Sequence, residues 1–169
     1  MNEKSYSLKF LSWSINAVES NGKVRLVHLS RSPPKRRSDK GKLGECLRKY
    51  AAGERIDFKD LELDFSGYTD FEKKVLKTTR KIPYGQIKTY GEIAKAIGNP
   101  KAMRAVGQAV GKNRFGIVIP CHRVVAHNGL GGFGGGLKCK RALLNHEGSL
   151  KKALTISLRS SSKSSKRQQ

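Results

Sequence analysis

Hydrophobic and polar positions change rhythm along the chain. From Ser7 to Val18, and again from Lys23 to Leu29, they form two β-like stretches. Ser20-Asn21-Gly22 between them has the chemistry of a hairpin turn. Lys42 to Ala52 predicts a short helix, and Ile56 to Phe65 reads as extended or irregular. After Gly67-Tyr68 the period lengthens. Thr69 can cap a helix whose third position is Glu72, a capping-box spacing, and Phe71, Val75 and Leu76 recur at helical spacing through about Thr79. Ile82-Pro83-Tyr84-Gly85 ends that helix. Thr89 to Ile97 predicts the next, with Ile93, Ala94 and Ile97 on one face. Gly98-Asn99-Pro100 breaks it, and Lys101 to Lys112 forms a third, rich in Ala, Val and Gly. Phe115 to Ile119 is a short, strand-like apolar run. Asn128 to Gly136 is a Gly-rich loop, and Leu137 to His146 is a last helix.

This order predicts a two-domain α/β protein. Residues 1–68 form a small α/β N-terminal domain. Residues 69–150 form a mainly helical C-terminal domain, and residues 151–169 a basic, mostly disordered tail. Two short helices joined by a Gly-containing turn fit a helix-turn-helix, and they fit an ordinary helical hairpin as well. The basic residues around them and the small side chains Ala102, Ala105, Gly107 and Ala109 favour the DNA-binding reading.

Charge narrows the partner. The net charge is +22, and residues 69–150 carry 15 basic side chains against 4 acidic ones. Such an excess suits a polyanion, because neutralised phosphates release their condensed counterions. No apolar stretch reaches the roughly 18 residues of a membrane span, and the polar start Met1-Asn2-Glu3-Lys4-Ser5 lacks a signal-peptide core. A cytoplasmic protein is expected, nuclear in a eukaryote, with no membrane association. The basic segments 31–37 and 162–169 read as solvated loops rather than nuclear localisation signals. Three cysteines without a CxxC pair argue against a disulfide framework and against zinc, so no metal is expected.

Cys121 stands in Ile119-Pro120-Cys121-His122-Arg123-Val124-Val125. A thiol near cationic groups ionises more readily, and the thiolate is the nucleophile. A buried structural cysteine fits the same residues equally well. Gly131-Gly132-Phe133-Gly134-Gly135-Gly136 is neither a Walker loop nor a dinucleotide fingerprint. It fits a wall for a flat ligand with Phe133 as a stacking face, or a flexible connector.

Pro120-Cys121-His122-Arg123-Val124 resembles the active-site signature of the O6-alkylguanine-DNA alkyltransferase family. Ile82-Pro83-Tyr84-Gly85, Thr89-Tyr90, Gly98-Asn99-Pro100, Arg104-Ala105-Val106-Gly107, Asn113, Leu143-Leu144 and His146-Glu147-Gly148 follow the family's order at near-family spacing. The resemblance covers about residues 69–148. It implies irreversible transfer of an alkyl group from O6 of guanine, with O4-alkylthymine a further candidate, to Cys121 after the base is flipped from double-stranded DNA. The protein is then consumed, acts as a monomer and requires no cofactor.

By the same resemblance, His122 is the base acting through a water, and Glu147 orients it. The Tyr90 hydroxyl donates to N3 of the flipped base. Asn113 braces the helix-turn-helix against the active-site segment. Arg104 enters the base stack, and Lys101, Ala105 and Gly107 accompany it in minor-groove docking. Backbone carbonyls of Cys121 and Val124 accept from the exocyclic amine, and the N–H of Gly134 meets O6. Phe133, Gly134 and Gly135 complete the pocket. The chain departs from the family where a Tyr-Ser-Gly-Gly loop is common and Phe133-Gly134-Gly135-Gly136 stands instead. The alternative implied by the same resemblance is a non-catalytic lesion-binding protein, a class that lacks the cysteine. A helix-turn-helix regulator of duplex sequence has no need for Tyr90, Cys121, His122 and Glu147 together.

Overall fold

The computed structural model describes residues 2–35 and 40–156. Its chain divides into two compact units, and the division is not a single cut. One unit takes in the described residues up to Tyr68 together with Asn113–Ile119. The other takes in Thr69–Lys112 and the described residues from Pro120 onward.

The first unit is built on an antiparallel sheet of order β1-β2-β3, with β1 Glu3–Phe10, β2 Trp13–Ser20 and β3 Lys23–Ser30. Asn21 and Gly22 take φ of 50° and 75°, the left-handed pair that a tight hairpin turn needs. The stretch read as one from Ser7 to Val18 is instead parts of two strands. The chain turns back at Leu11, φ 52°, where no Gly or Asn marks the reversal. Helix α1, Lys42–Ala51, sends Leu43, Leu47 and Tyr50 into a core with Tyr6, Phe10 and Ile15. The rings of Phe10 and Tyr50 lie 5.9 Å apart.

Residues 113–119 complete this unit. Val27 exchanges backbone hydrogen bonds with Arg114 and Gly116, both 2.8 Å, so the segment runs beside β3 for a single bridge. It is not the strand its apolar run suggests. Ile117 adopts φ 70°, rare for a β-branched residue, and the Ile119 N–H turns back to the Phe115 carbonyl at 2.8 Å. Phe115, Ile117, Val118 and Ile119 are all buried.

The second unit contains α2 Asp70–Arg80, β4 Lys88–Thr89, α3 Tyr90–Ala96, α4 Met103–Gly111, β5 Val124–Val125 and α5 Leu137–His146. Capping boxes start α2 and α3. The hydroxyls of Thr69 and Thr89 accept from the N–H groups of Glu72 and Glu92, whose carboxylates accept in return from the Thr N–H groups. Each such cap is worth about 1 kcal/mol. Val75, Ile93, Ala94, Ile97, Val106 and Val110 form the core where α2, α3 and α4 meet. Helix α4 starts two residues later than the sequence pattern suggests, so Lys101 precedes it. Strands β4 and β5 pair in parallel, Lys88 with Val124 and Thr89 with Val125, which draws the start of α3 to the segment after Cys121.

Residues 150–156 correct the expectation of a disordered tail from 151. They form a helix, α6. Its Ala153 is buried with Val125 and Leu144, and Leu150 and Ile156 pack around them. The apolar positions 150, 153 and 156 recur at helical spacing within an otherwise Lys- and Thr-containing stretch. Residues 36–39 and 157–169, which hold parts of both basic segments, lie outside the described residues. No helix among the described residues is long and apolar enough to cross a membrane.

Candidate active site

The site is assembled in the second unit by a single turn of 3₁₀ helix, Cys121–Arg123, between Pro120 and β5. A turn this tight sends consecutive side chains different ways. Cys121 stays half-buried against the helical core, whereas His122 and Arg123 are buried. Both reach Glu147, which caps the C-terminus of α5. His122 Nε2 lies 2.7 Å from Glu147 Oε1. Arg123 donates from Nε to Oε2 at 2.7 Å and from Nη2 to Oε1 at 2.9 Å, and from Nη1 to the Ile82 carbonyl at 2.6 Å. The Gly85 N–H adds a longer contact to Oε2, 3.4 Å.

Burial alone would raise the pKa of Glu147, but His122 and Arg123 outweigh it and hold the carboxyl below the usual carboxylate range. Burial lowers the pKa of His122, against the opposing pull of Glu147, so its imidazole is neutral at pH 7. The protonation pattern follows. An ionised carboxylate only accepts, so the single imidazole proton sits on Nε2 and donates to Glu147. Nδ1 keeps its lone pair, is buried, and has no hydrogen-bond partner among the described residues. The structure therefore provides a neutral imidazole, oriented by a carboxylate, next in sequence to a thiol.

Tyr90 opens α3 and packs beside Cys121 against the same core. Burial, and then negative charge on Cys121, raise its pKa, so the phenol stays a proton donor. Two glycines fit around its ring. A Cβ on Gly107 of α4 would touch the ring at 3.9 Å, an ordinary contact. A Cβ on Gly131 would come within 2.9 Å of it, and Gly131 also has φ 70°, so only glycine suits this position.

Val124 is buried on β5. Phe133 is half-buried, while Gly134 and Gly135 are exposed in the loop before α5. Arg104 is exposed on α4, opposite buried Val106, Ala109 and Val110. Lys101 is exposed and Ala105 half-buried. Asn113 belongs to the first unit and is spent on its own loop. Its Nδ2 donates to the Ile119 carbonyl and its Oδ1 accepts from the Phe115 N–H, both at 2.9 Å.

Two charged residues escape a sequence reading as functional groups. Arg123 lies within the signature but shows no partner there. Lys140 is fully buried, and Nζ donates to the Val124 carbonyl at 2.6 Å and to the Gly132 carbonyl at 3.1 Å. The available signal was its place in the stripe Cys139, Lys140, Leu143, Leu144 on the buried face of α5. Among the described residues, no cluster of His, Cys, Asp and Glu could hold a metal ion.

The chain is similar to several known proteins. Residues 70–149 match the family described as 6-O-methylguanine DNA methyltransferase, DNA binding domain. A methylated-DNA–protein-cysteine methyltransferase of Mycobacterium tuberculosis is 53% identical over 102 residues, 60% of this chain and 61% of that protein. The match thus spans less than two thirds of that relative. One of the same name from Metallosphaera sedula is 46% identical over 110 residues, 65% of this chain and 69% of that protein. The crystal structure of Mycobacterium tuberculosis OGT in complex with DNA superposes with a TM-score of 0.74 at 37% identity, covering 86% of this chain and 93% of that one.

Proposed function

The chain belongs to the 6-O-methylguanine-DNA methyltransferase family, and on that premise we propose that it repairs O6-alkylguanine in double-stranded DNA by taking the alkyl group onto Cys121. The observation that carries the reading is the buried His122–Glu147 pair, which leaves a neutral imidazole nitrogen as base beside the only thiol of the signature.

In this reaction the Cys121 proton passes through a water to His122 Nδ1, and the resulting imidazolium is held by Glu147. The thiolate attacks the alkyl carbon in line with O6. A carbon–sulfur bond forms as the carbon–oxygen bond breaks, and the electron pair leaves on the guanine. The Tyr90 hydroxyl donates a hydrogen bond to N3 and stabilises the departing guanine anion, an interaction worth most in the transition state; the anion then takes a proton from solvent. The carbonyls of Cys121 and Val124 read the exocyclic amine, and the Gly134 N–H meets O6. Phe133 and Gly135 line the pocket. The thioether has no route back, so each molecule acts once.

The two units serve as an N-terminal and a C-terminal domain, and α3 and α4 act as the helix-turn-helix. Exposed Arg104 projects from α4 to fill the gap left by the flipped base, with Lys101 and Ala105 beside the phosphates and minor groove. Gly107 lies on the same helix and accompanies them in docking. Asn113 holds the shape of the loop that leads into Pro120-Cys121. The protein works as a monomer wherever the cell keeps its DNA.

An oligonucleotide duplex carrying radiolabelled O6-methylguanine tests the proposal. One methyl gained per chain, mapped to Cys121 and absent in Cys121→Ala, is the expected outcome. Tight lesion binding with no gain in mass would establish the non-catalytic alternative instead.

A further inference from the structure

Lys140 is a fully buried charge in the second unit that the reaction above leaves unused. Burying an ammonium is costly unless its donors are satisfied, and here they are spent on backbone oxygens rather than a carboxylate. The two acceptors come from different segments, Val124 on β5 and Gly132 in the Gly-rich loop. Those two segments supply opposite parts of the proposed base pocket. Burial pulls the pKa of Lys140 down to about 8, and negative charge on Cys121 partly opposes this, so the ammonium persists at neutral pH and lies within electrostatic reach of the nucleophile.

Side chains of the loop's own do little to hold its middle. Gly132 and Gly134 have open space where a side chain would stand, and Gly134, Gly135 and Gly136 offer no side-chain donor. A run of glycines is the segment least able to keep one conformation by itself. A fully buried lysine that ties this loop to β5 fixes both the loop and the direction of the Val124 carbonyl. That oxygen has two lone pairs. Lys140 takes one, and the other remains for a ligand N–H.

We propose that Lys140 is a positioning residue for guanine selectivity: by holding the Gly132 and Val124 carbonyls together, it aims the Val124 oxygen at the exocyclic amine of the bound base. This rests on the alkyl-transfer reading above. The selectivity it implies is chemical. A base with an amine at that edge gains a hydrogen bond, and one without it leaves the aimed carbonyl unmatched.

The test compares free O6-benzylguanine with O6-benzylhypoxanthine, which lacks only that amine, in single-turnover reactions of the full chain. The two bases differ in intrinsic reactivity, but the change in their rate ratio between protein variants cancels this. The unmodified protein should prefer the guanine. Lys140→Met should slow O6-benzylguanine by about tenfold or more while affecting O6-benzylhypoxanthine much less, so the preference collapses. Lys140→Gln, whose amide donates to the same carbonyls without charge, should restore most of it. Equal slowing of both substrates by Lys140→Met, an unchanged ratio, or an unmodified protein that shows no preference would overturn the inference. So would a Lys140→Gln protein that folds but lacks the preference. No alkyl on Cys121 of the unmodified protein from either base or from damaged DNA would instead overturn the transfer reading itself.

Discussion

The two units treat charge in opposite ways. In the sheet unit the ion pairs Lys23–Glu62, Lys42–Asp60 and Lys49–Glu45 lie on the surface, and the interior is aromatic and aliphatic. In the helical unit Arg123, Lys140, Glu147 and His122 are buried among Leu143, Leu144, Val124 and Val125. Exposed pairs contribute little to stability, whereas buried ones carry a desolvation cost that apolar residues of the same volume would avoid. The second unit keeps that cost where the thiol is. Buried charge in the helical unit thus gathers around the Cys121 segment, apart from Glu72, which caps α2.

The largest test of that contrast is Glu147→Gln. The shape is kept, but Arg123 loses its carboxylate and His122 its orienting partner. Transfer should fall by about a hundredfold or more. Unfolding free energy should fall by about 3–5 kcal/mol, as for a broken buried pair, read from denaturant midpoints. A normal rate would remove Glu147 from the mechanism.

Arg104→Ala comes next, because it removes an exposed charge that the proposal does put to use. Transfer from duplex should drop by about tenfold, on the scale of unstacking a base. Reaction with free O6-benzylguanine should hold steady, and equal losses on both would refute the finger role.

A pH series separates the buried imidazole from surface groups. His122 has its pKa lowered from 6.5, so the folded protein resists protonation there more than the unfolded chain does. Its contribution is complete above pH 6.5 and is lost as acid titrates the folded form below that value. Stability should therefore hold from pH 7 to 8 and decline on the acid side of 6.5, with the transfer rate following at lower pH, where the folded imidazole itself takes a proton. A rate with no loss anywhere between pH 7 and the acid limit of the folded state would discard the relay through His122. The smallest effect belongs to Glu62→Gln, which should leave both the melting midpoint and the transfer rate unchanged.

Features that depend on near neighbours in the chain were legible in the sequence. Thr69 with Glu72 and the Asn21-Gly22 turn are local chemistry, and the structure contains both. Thr89 with Glu92 follows the same rule. The reversal at Leu11 was not legible, because no turn residue stands there. Helix α6 was hidden by its lysines, although Leu150, Ala153 and Ile156 keep the period. The site divides the same way. Cys121 and His122 announce themselves as neighbours, and Glu147 entered only through a resemblance. The partners of Arg123 and Lys140 are carbonyls and a carboxylate from distant segments, and a backbone carbonyl has no letter in the sequence.

The interleaved path of the chain also limits how the protein can be taken apart. Residues 113–119 lie between two stretches of the helical unit in sequence, yet they are hydrogen-bonded to Val27, and the Arg114 N–H donates to the Tyr68 hydroxyl. A gene fragment starting at Thr69 would encode Phe115, Ile117, Val118 and Ile119 without the sheet that covers them. No single crossover point exchanges one unit for a foreign one. Any recombinant must inherit the sheet and this seven-residue insert together, or redesign the insert that runs directly into Pro120 and the nucleophile.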